Sequence, residues 1–324
     1  MKKTFLLTAV GFIIFGIMLR YSHETVLGAR YGLLLWYQSI VPALFPFMVL
    51  SSFIISSGGV SYFMTPAWLC LSRLIPISKD GCYVLFTGLL CGFPMGAKTC
   101  SDFVFNHRIS MQEGKFLMTV CNVPSPMFLL GFVYPFFKDY ISSELFLSSI
   151  YLPLLPLIFL SYQYHYKFQE FSSDDPKSFC QKEAADLSMD DAILDAAELL
   201  CKIGGYLVLF SILIQWLKRM EWIPVMIRLS IIGLLEMTTG VRELTHGLSF
   251  PSTWIAVTSI LAFGGFSGMF QVHAVLSSSN SDAGKEQIRH EKKTGLSIRS
   301  YFFWKIIQVC ITALCTWVLC NYAS

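Results

Sequence analysis

Nine stretches of this chain are apolar over all or much of the length needed to cross a bilayer: residues 4–19, 32–55, 82–96, 115–137, 144–162, 203–217, 223–235, 254–276 and 301–319. A spanning helix takes about 20 mostly apolar residues. Several of these runs are shorter than that, or are cut by glycine and proline. Hydrocarbon offers no partner for backbone N–H and C=O groups, so each segment must satisfy its own, and the strand-and-turn alternation of a barrel is missing. The expected fold class is an all-α polytopic membrane protein. Composition agrees, with 54% of the 324 residues hydrophobic and 14% charged, against about 25% charged in soluble domains.

Lys2 and Lys3 precede the first apolar run in the manner of a secretory signal. No small-x-small cleavage site follows closely, so the run is expected to stay as an anchor helix. The ten cysteines are scattered singly through apolar stretches without a CxxC pair, which favours packed thiols over disulfides or a metal site. A net charge of +3 is too small to imply nucleic acid as a partner. Its distribution is more informative: loop 277–300 carries Lys285, Arg289, Lys292, Lys293 and Arg299 against Asp282 and Glu286. Such a loop is expected on the cytoplasmic side, which puts the tail beyond residue 319 on the other. The polar segment 163–191 mixes both signs. Its end, from Ser188, has an acidic first turn and helical apolar spacing, as an amphipathic helix leading into a span would.

The chain also repeats itself. Gly88-Leu89-Leu90 returns as Gly233-Leu234-Leu235, 145 positions on (88 to 233), and Ser125-Pro126-Met127-Phe128 is echoed by Ser267-Gly268-Met269-Phe270, 142 positions on (125 to 267). Similar offsets for two separate matches indicate a duplicated unit. Each copy holds two interruptions: GFPMGAK then NVPSPMF in the first, LLEMTTGVRE then FGGFSGMFQ in the second. Paired interruptions at corresponding places in two halves point to a solute site near the bilayer midplane.

The interruptions carry the candidate solute-binding residues: Pro94, Gly96, Lys98, Thr99, Asn122, Ser125, Glu236, Thr238, Thr239, Ser267 and Gln271. Pro94 and Gly96 should stop one helix and let another begin. The restarted helix would present N–H groups and the positive end of its dipole, with Lys98 in its first turn, which suits an anion. The alternative is that Lys98 pairs with Asp102 four residues on, or reaches toward the interface. Glu236, with no basic residue within four positions, is either a coupling or ligand-binding group or a carboxyl at a helix end facing water. Asn122 stands before two prolines, where its amide either caps the break or meets a solute. Gln271 either meets the solute or packs against another helix, and His273 is either a packed histidine or a proton carrier. No nucleotide loop, paired histidines or nucleophile motif is present, so an enzyme, a cofactor and a metal centre are not expected.

Taken together, GFPMGAKTCSDF at 92–103, NVPSPMFLLG at 122–131, GLLEMTTGVREL at 233–244 and FGGFSGMFQVHAVL at 263–276 resemble sporulation integral membrane proteins of the YlbJ type, which carry two nucleoside-recognition (Gate) domains. The resemblance implies two pseudo-symmetric repeats with broken helices and re-entrant hairpins, similar to the core of concentrative nucleoside transporters. It divides the chain into an anchor helix and connection (1–31), a first Gate-like repeat (32–162), a polar loop with the start of an amphipathic helix (163–191), a second repeat (192–276), a basic loop (277–300) and a C-terminal transmembrane helix (301–324). The implied function is transport of a small anion, dipicolinate, during endospore formation, in the outer forespore membrane. A nucleoside-type solute and a non-transporting scaffold are the alternatives. Expected partners are the anion, the lipid bilayer, and a homo-oligomer or other sporulation membrane proteins. One departure stands out: the second copy has EMTTGVR where the first has FPMGAK, so the halves are not expected to contribute equally.

Overall fold

The computed structural model describes residues 2–56, 60, 64–73, 75, 77–168, 189–278 and 296–323. Among them every regular element is helical. In chain order these are α1 (Lys2–Arg20), α2 (Ser22–Leu35), α3 (Val41–Ser56), α4 (Thr65–Leu71), α5 (Lys79–Cys91), α6 (Met95–Phe105), α7 (Met111–Val120), the short α8 (Pro126–Phe128), α9 (Ser143–Tyr151) and α10 (Leu154–Tyr162). The second half supplies α11 (Met189–Lys218), α12 (Val225–Leu235), α13 (Met237–Gly247), α14 (Ser252–Phe263), α15 (Gly265–Ser278) and α16 (Ile298–Ala323). Wider or tighter turns at Trp36–Ile40, Leu129–Val133, Tyr134–Phe136 and Gln163–Phe168 prolong α2, α8 and α10.

Among the described residues, Ser143–His165, Met189–Lys218, Ser252–Leu276 and Ile298–Tyr322 are each long and apolar enough to cross a membrane. A fifth crossing is available if Thr8–Arg20 and Ser22–Ile40, bent by 98°, are one span. The protein is thus a multi-pass α-helical membrane protein. The amphipathic start at Met189 and the apolar run 203–217 prove to be one unbroken helix of 30 residues. Ser188 and most of loop 277–300 lie outside the described residues.

Close packing of α2 on α11 depends on two glycines. Gly28 and Gly32 stand four apart, and a methyl group on either would lie 2.7 Å from Ile212 Cα or 2.8 Å from Val208 Cα. Small residues at this spacing let membrane helices touch backbone to backbone. Two indoles fasten the contact: Trp36 Nε1–H donates to the Leu200 carbonyl at 2.8 Å and Trp216 Nε1–H to Thr25 Oγ1 at 3.1 Å. By contrast α1 exposes Phe5, Phe12, Ile13 and Phe15, as suits a helix surrounded by lipid.

The runs 82–96 and 223–235 do not cross. Each is one arm of a hairpin, α5–α6 or α12–α13, because the chain turns back at the break. At about 1.5 Å per residue, arms of 13, 11, 11 and 11 residues reach only part of the way through a core roughly 30 Å thick. The second hairpin closes on glycine: a methyl on Gly240 would lie 2.4 Å from Gly233 Cα, and one on Gly247 would meet Leu229 at 2.5 Å. The base of the first is pinned by Arg108, which donates to both oxygens of Asp80 at 2.9 and 3.0 Å, and by Glu113, whose Oε1 accepts from the Ser78 N–H and hydroxyl at 2.7 and 2.9 Å.

After each hairpin comes an interrupted helix, α7–α8 or α14–α15. The α14–α15 stretch starts beside the base of the second hairpin, where Thr253 Oγ1 donates to the Leu248 carbonyl. Near its other end, Leu276 shares a hydrophobic cluster with Tyr301 and with Ile77 and Ile109, which flank the first hairpin.

Candidate functional site

All four interruptions meet. Gly92 ends α5 with φ of 77°, a region that only glycine enters without strain. A methyl there would be 2.8 Å from Ser125 N and 3.0 Å from the Val123 carbonyl oxygen, inside the α7–α8 break. Gly88 and Gly96, on either arm, both rest on the Cys121 carbonyl, 2.3 and 2.5 Å from where their methyls would stand. In the α14–α15 break Gly264 takes φ of 81°, and the adjacent Gly265 leaves only 3.2 Å between a would-be methyl and Met237 N at the other hairpin's turn. The Phe93 ring joins the first hairpin's turn to the α14–α15 break, lying 3.4 Å from a methyl on Gly264 and 3.0 Å from one on Gly268.

The predicted residues take up different tasks within this junction. Pro94 sits at the start of α6, which has no side-chain cap, and Gly96 and Thr99 are buried in its first turns. Lys98 is also there but pairs with Asp102 at 2.9 Å, both side chains being 24% and 31% exposed. The intrahelical alternative is thus the observed contact. Asn122 is wholly buried; its Nδ2 donates to the Met118 carbonyl at 2.9 Å, closing the last turn of α7. Its Oδ1 has no hydrogen-bond partner among the described residues. Ser125 caps α8 by accepting from Phe128 N at 3.3 Å. Ser267 and Gln271 are buried and bonded to each other at 3.3 Å.

Glu236 does not face water. It is 2% exposed, and its two carboxylate oxygens accept from Thr238 N and Thr239 N at 2.9 and 2.7 Å. The carboxylate thus fills the N-terminus of α13, satisfying two donors that a helix start leaves open and meeting the positive end of its dipole. The hydroxyls of Thr238 and Thr239 are buried without hydrogen-bond partners among the described residues.

Sequence reasoning passed over the residue at the centre. Lys305, in α16, is 1% exposed. Its ammonium donates to the backbone carbonyl of Asn122 in the α7–α8 break, to that of Ala262 in the last turn of α14 at 3.2 Å, and to Gln308 Oε1 at 2.9 Å. A lysine flanked by Trp304 and Ile306 inside a long apolar helix was the available signal, since an ionisable group at membrane depth is seldom idle. Among the described residues no three His, Cys, Asp or Glu side chains form a metal-binding group.

Similarity to known proteins agrees with this architecture at a coarse level. The chain is 24% identical over 287 residues to the sporulation integral membrane protein YlbJ of Bacillus subtilis (strain 168), covering 78% of this chain and 70% of that protein. No family model matches, and no solved structure matches.

Proposed function

We propose that this protein carries a small anionic solute across a membrane, at the junction of the two hairpins, during endospore formation. The observation that carries the reading is that four helix interruptions close on one buried junction. Non-helical backbone at membrane depth is tolerated where it is buried in protein or lines a watery path. At this junction Asn122 Oδ1 and the Thr238 and Thr239 hydroxyls are left with unused hydrogen-bonding capacity. Buried polar groups ordinarily find partners, and these three are available to a visiting solute. The α6 start, uncapped by any side chain, supplies donors that suit an anion.

Similarity to YlbJ, a sporulation integral membrane protein, supports the sporulation setting; the reading takes the outer forespore membrane as the place of action. Dipicolinate, a planar dianion, fits the requirement for an apolar-faced solute with carboxylates. Transport of this kind leaves the solute chemically unchanged, so no catalytic group or cofactor is called for. Two valine substitutions test the reading. Thr238→Val with Thr239→Val removes two hydroxyls at nearly constant shape, which leaves stability unchanged or raised. Dipicolinate uptake into vesicles holding equal amounts of protein should fall about tenfold, the effect of roughly 1.4 kcal/mol. Uptake equal to wild type would remove the solute from this junction. Spores of a strain lacking the gene should hold little dipicolinate; normal content would remove that solute from the account.

A further inference from the structure

We propose that the position of Lys305 Nζ is a monovalent-cation site that the protein fills with its own side chain. The surroundings of the ammonium are those of a coordinated cation and, among the described residues, contain no carboxylate hydrogen-bonded to it: two backbone carbonyls, Asn122 and Ala262, and one amide oxygen, Gln308 Oε1. The two carbonyls belong to the interruptions that follow the first and second hairpins, so each comes from a different copy of the repeat. Carbonyls near helix C-termini carry the negative end of the dipole and have no partner within the helix. At broken membrane helices such carbonyls are the groups that hold a small cation. A lysine ammonium has three N–H donors, and the three oxygens take them all. The Tyr301 ring, with its centroid 5.6 Å from Nζ, adds the face of an aromatic to the same charge. With its donors spent on protein oxygens, the ammonium acts as a tether between the two copies and not as a ligand for a solute.

This account makes the tethered charge replaceable, and it stands independently of which solute the protein carries. Lys305→Ala deletes the propylammonium portion and leaves the three oxygens facing a cavity. Full-length protein in detergent should then unfold at least about 4 °C below wild type. Adding n-propylammonium should restore much of that loss, and sodium chloride should stabilise the variant more than choline chloride at the same ionic strength, a control for screening. Wild type should not respond, because its site is full. Lys305→Met should be destabilised and should not respond either, because its side chain occupies the space without supplying charge. If Lys305→Ala is as stable as wild type, or if the amine moves all three proteins alike or none of them, the site is not a cation site. Should Lys305→Ala yield no folded protein with or without the amine, Gln308→Ala decides: it retains the ammonium and removes one oxygen, so a lowered unfolding temperature supports the coordination and an unchanged one overturns it.

Discussion

The two hairpins do the same architectural work with different chemistry at their turns. In the second, Glu236 folds its carboxylate onto the start of α13 and bonds to Thr238 N and Thr239 N. In the first, Pro94 leads into α6 without a side-chain cap, and the nearest charge, Lys98, is joined to Asp102. One helix start has thus been supplied with an internal anion while the other has been left without one. On the proposed reading, such a pair of hairpins can hold one turn fixed and leave the other to meet a solute. Two hairpins of similar outline can therefore carry unlike chemistry at their turns.

Removing the internal anion should have the largest effect. Glu236→Ala leaves two buried N–H groups without acceptors, each worth about 1–3 kcal/mol, so the variant should lose roughly 2–5 kcal/mol in chemical denaturation. Pro94→Ala, at the corresponding turn, should lose far less; equal losses would erase the distinction between the hairpins. Next come the glycines that the copies share. Gly88→Ala and Gly240→Ala each drive a methyl into backbone, at 2.3 Å from the Cys121 carbonyl oxygen and 2.4 Å from Gly233 Cα, and should each destabilise by about 1–3 kcal/mol. A neutral result at either would mean that hairpin is not closed as described.

A third substitution makes the halves alike. Pro94→Asp places a carboxylate at the uncapped start of α6, where it competes with an incoming anion. Uptake should drop about tenfold, equivalent to roughly 1.4 kcal/mol, while the fold is kept; undiminished uptake would show that this helix start is not where the anion is met. The smallest effect is expected at Lys98→Met. Its partly exposed pair with Asp102 lies along one helix face, where such contacts contribute about 0.3–0.5 kcal/mol, so stability should shift by no more than that.

Much of this arrangement was legible in the sequence because interruption has a local chemical signature. Pro94, Gly96, the two prolines after Asn122 and the Gly264-Gly265 pair announce breaks without reference to anything distant. The offsets of 145 and 142 positions, read from 88 to 233 and from 125 to 267, suggest two copies from the sequence alone. What each polar group does was less legible. Glu236 could be read as a coupling carboxyl because a cap differs from a ligand only in where the carboxylate turns. Lys305 escaped because its role depends on Asn122 and Ala262, which are 183 and 43 residues away. Gly28 and Gly32 escaped for the same reason: their spacing is local, but the α11 backbone they admit is remote in sequence.

The central claim, that the hairpin junction is where a solute passes, is tested most directly by access from water. With the ten native cysteines replaced, a single cysteine at Thr238 should react with a water-soluble thiol reagent in membrane vesicles, and dipicolinate should slow that reaction. A cysteine at that position which stays unreactive, with and without the solute, would make the junction a sealed packing core and contradict the account.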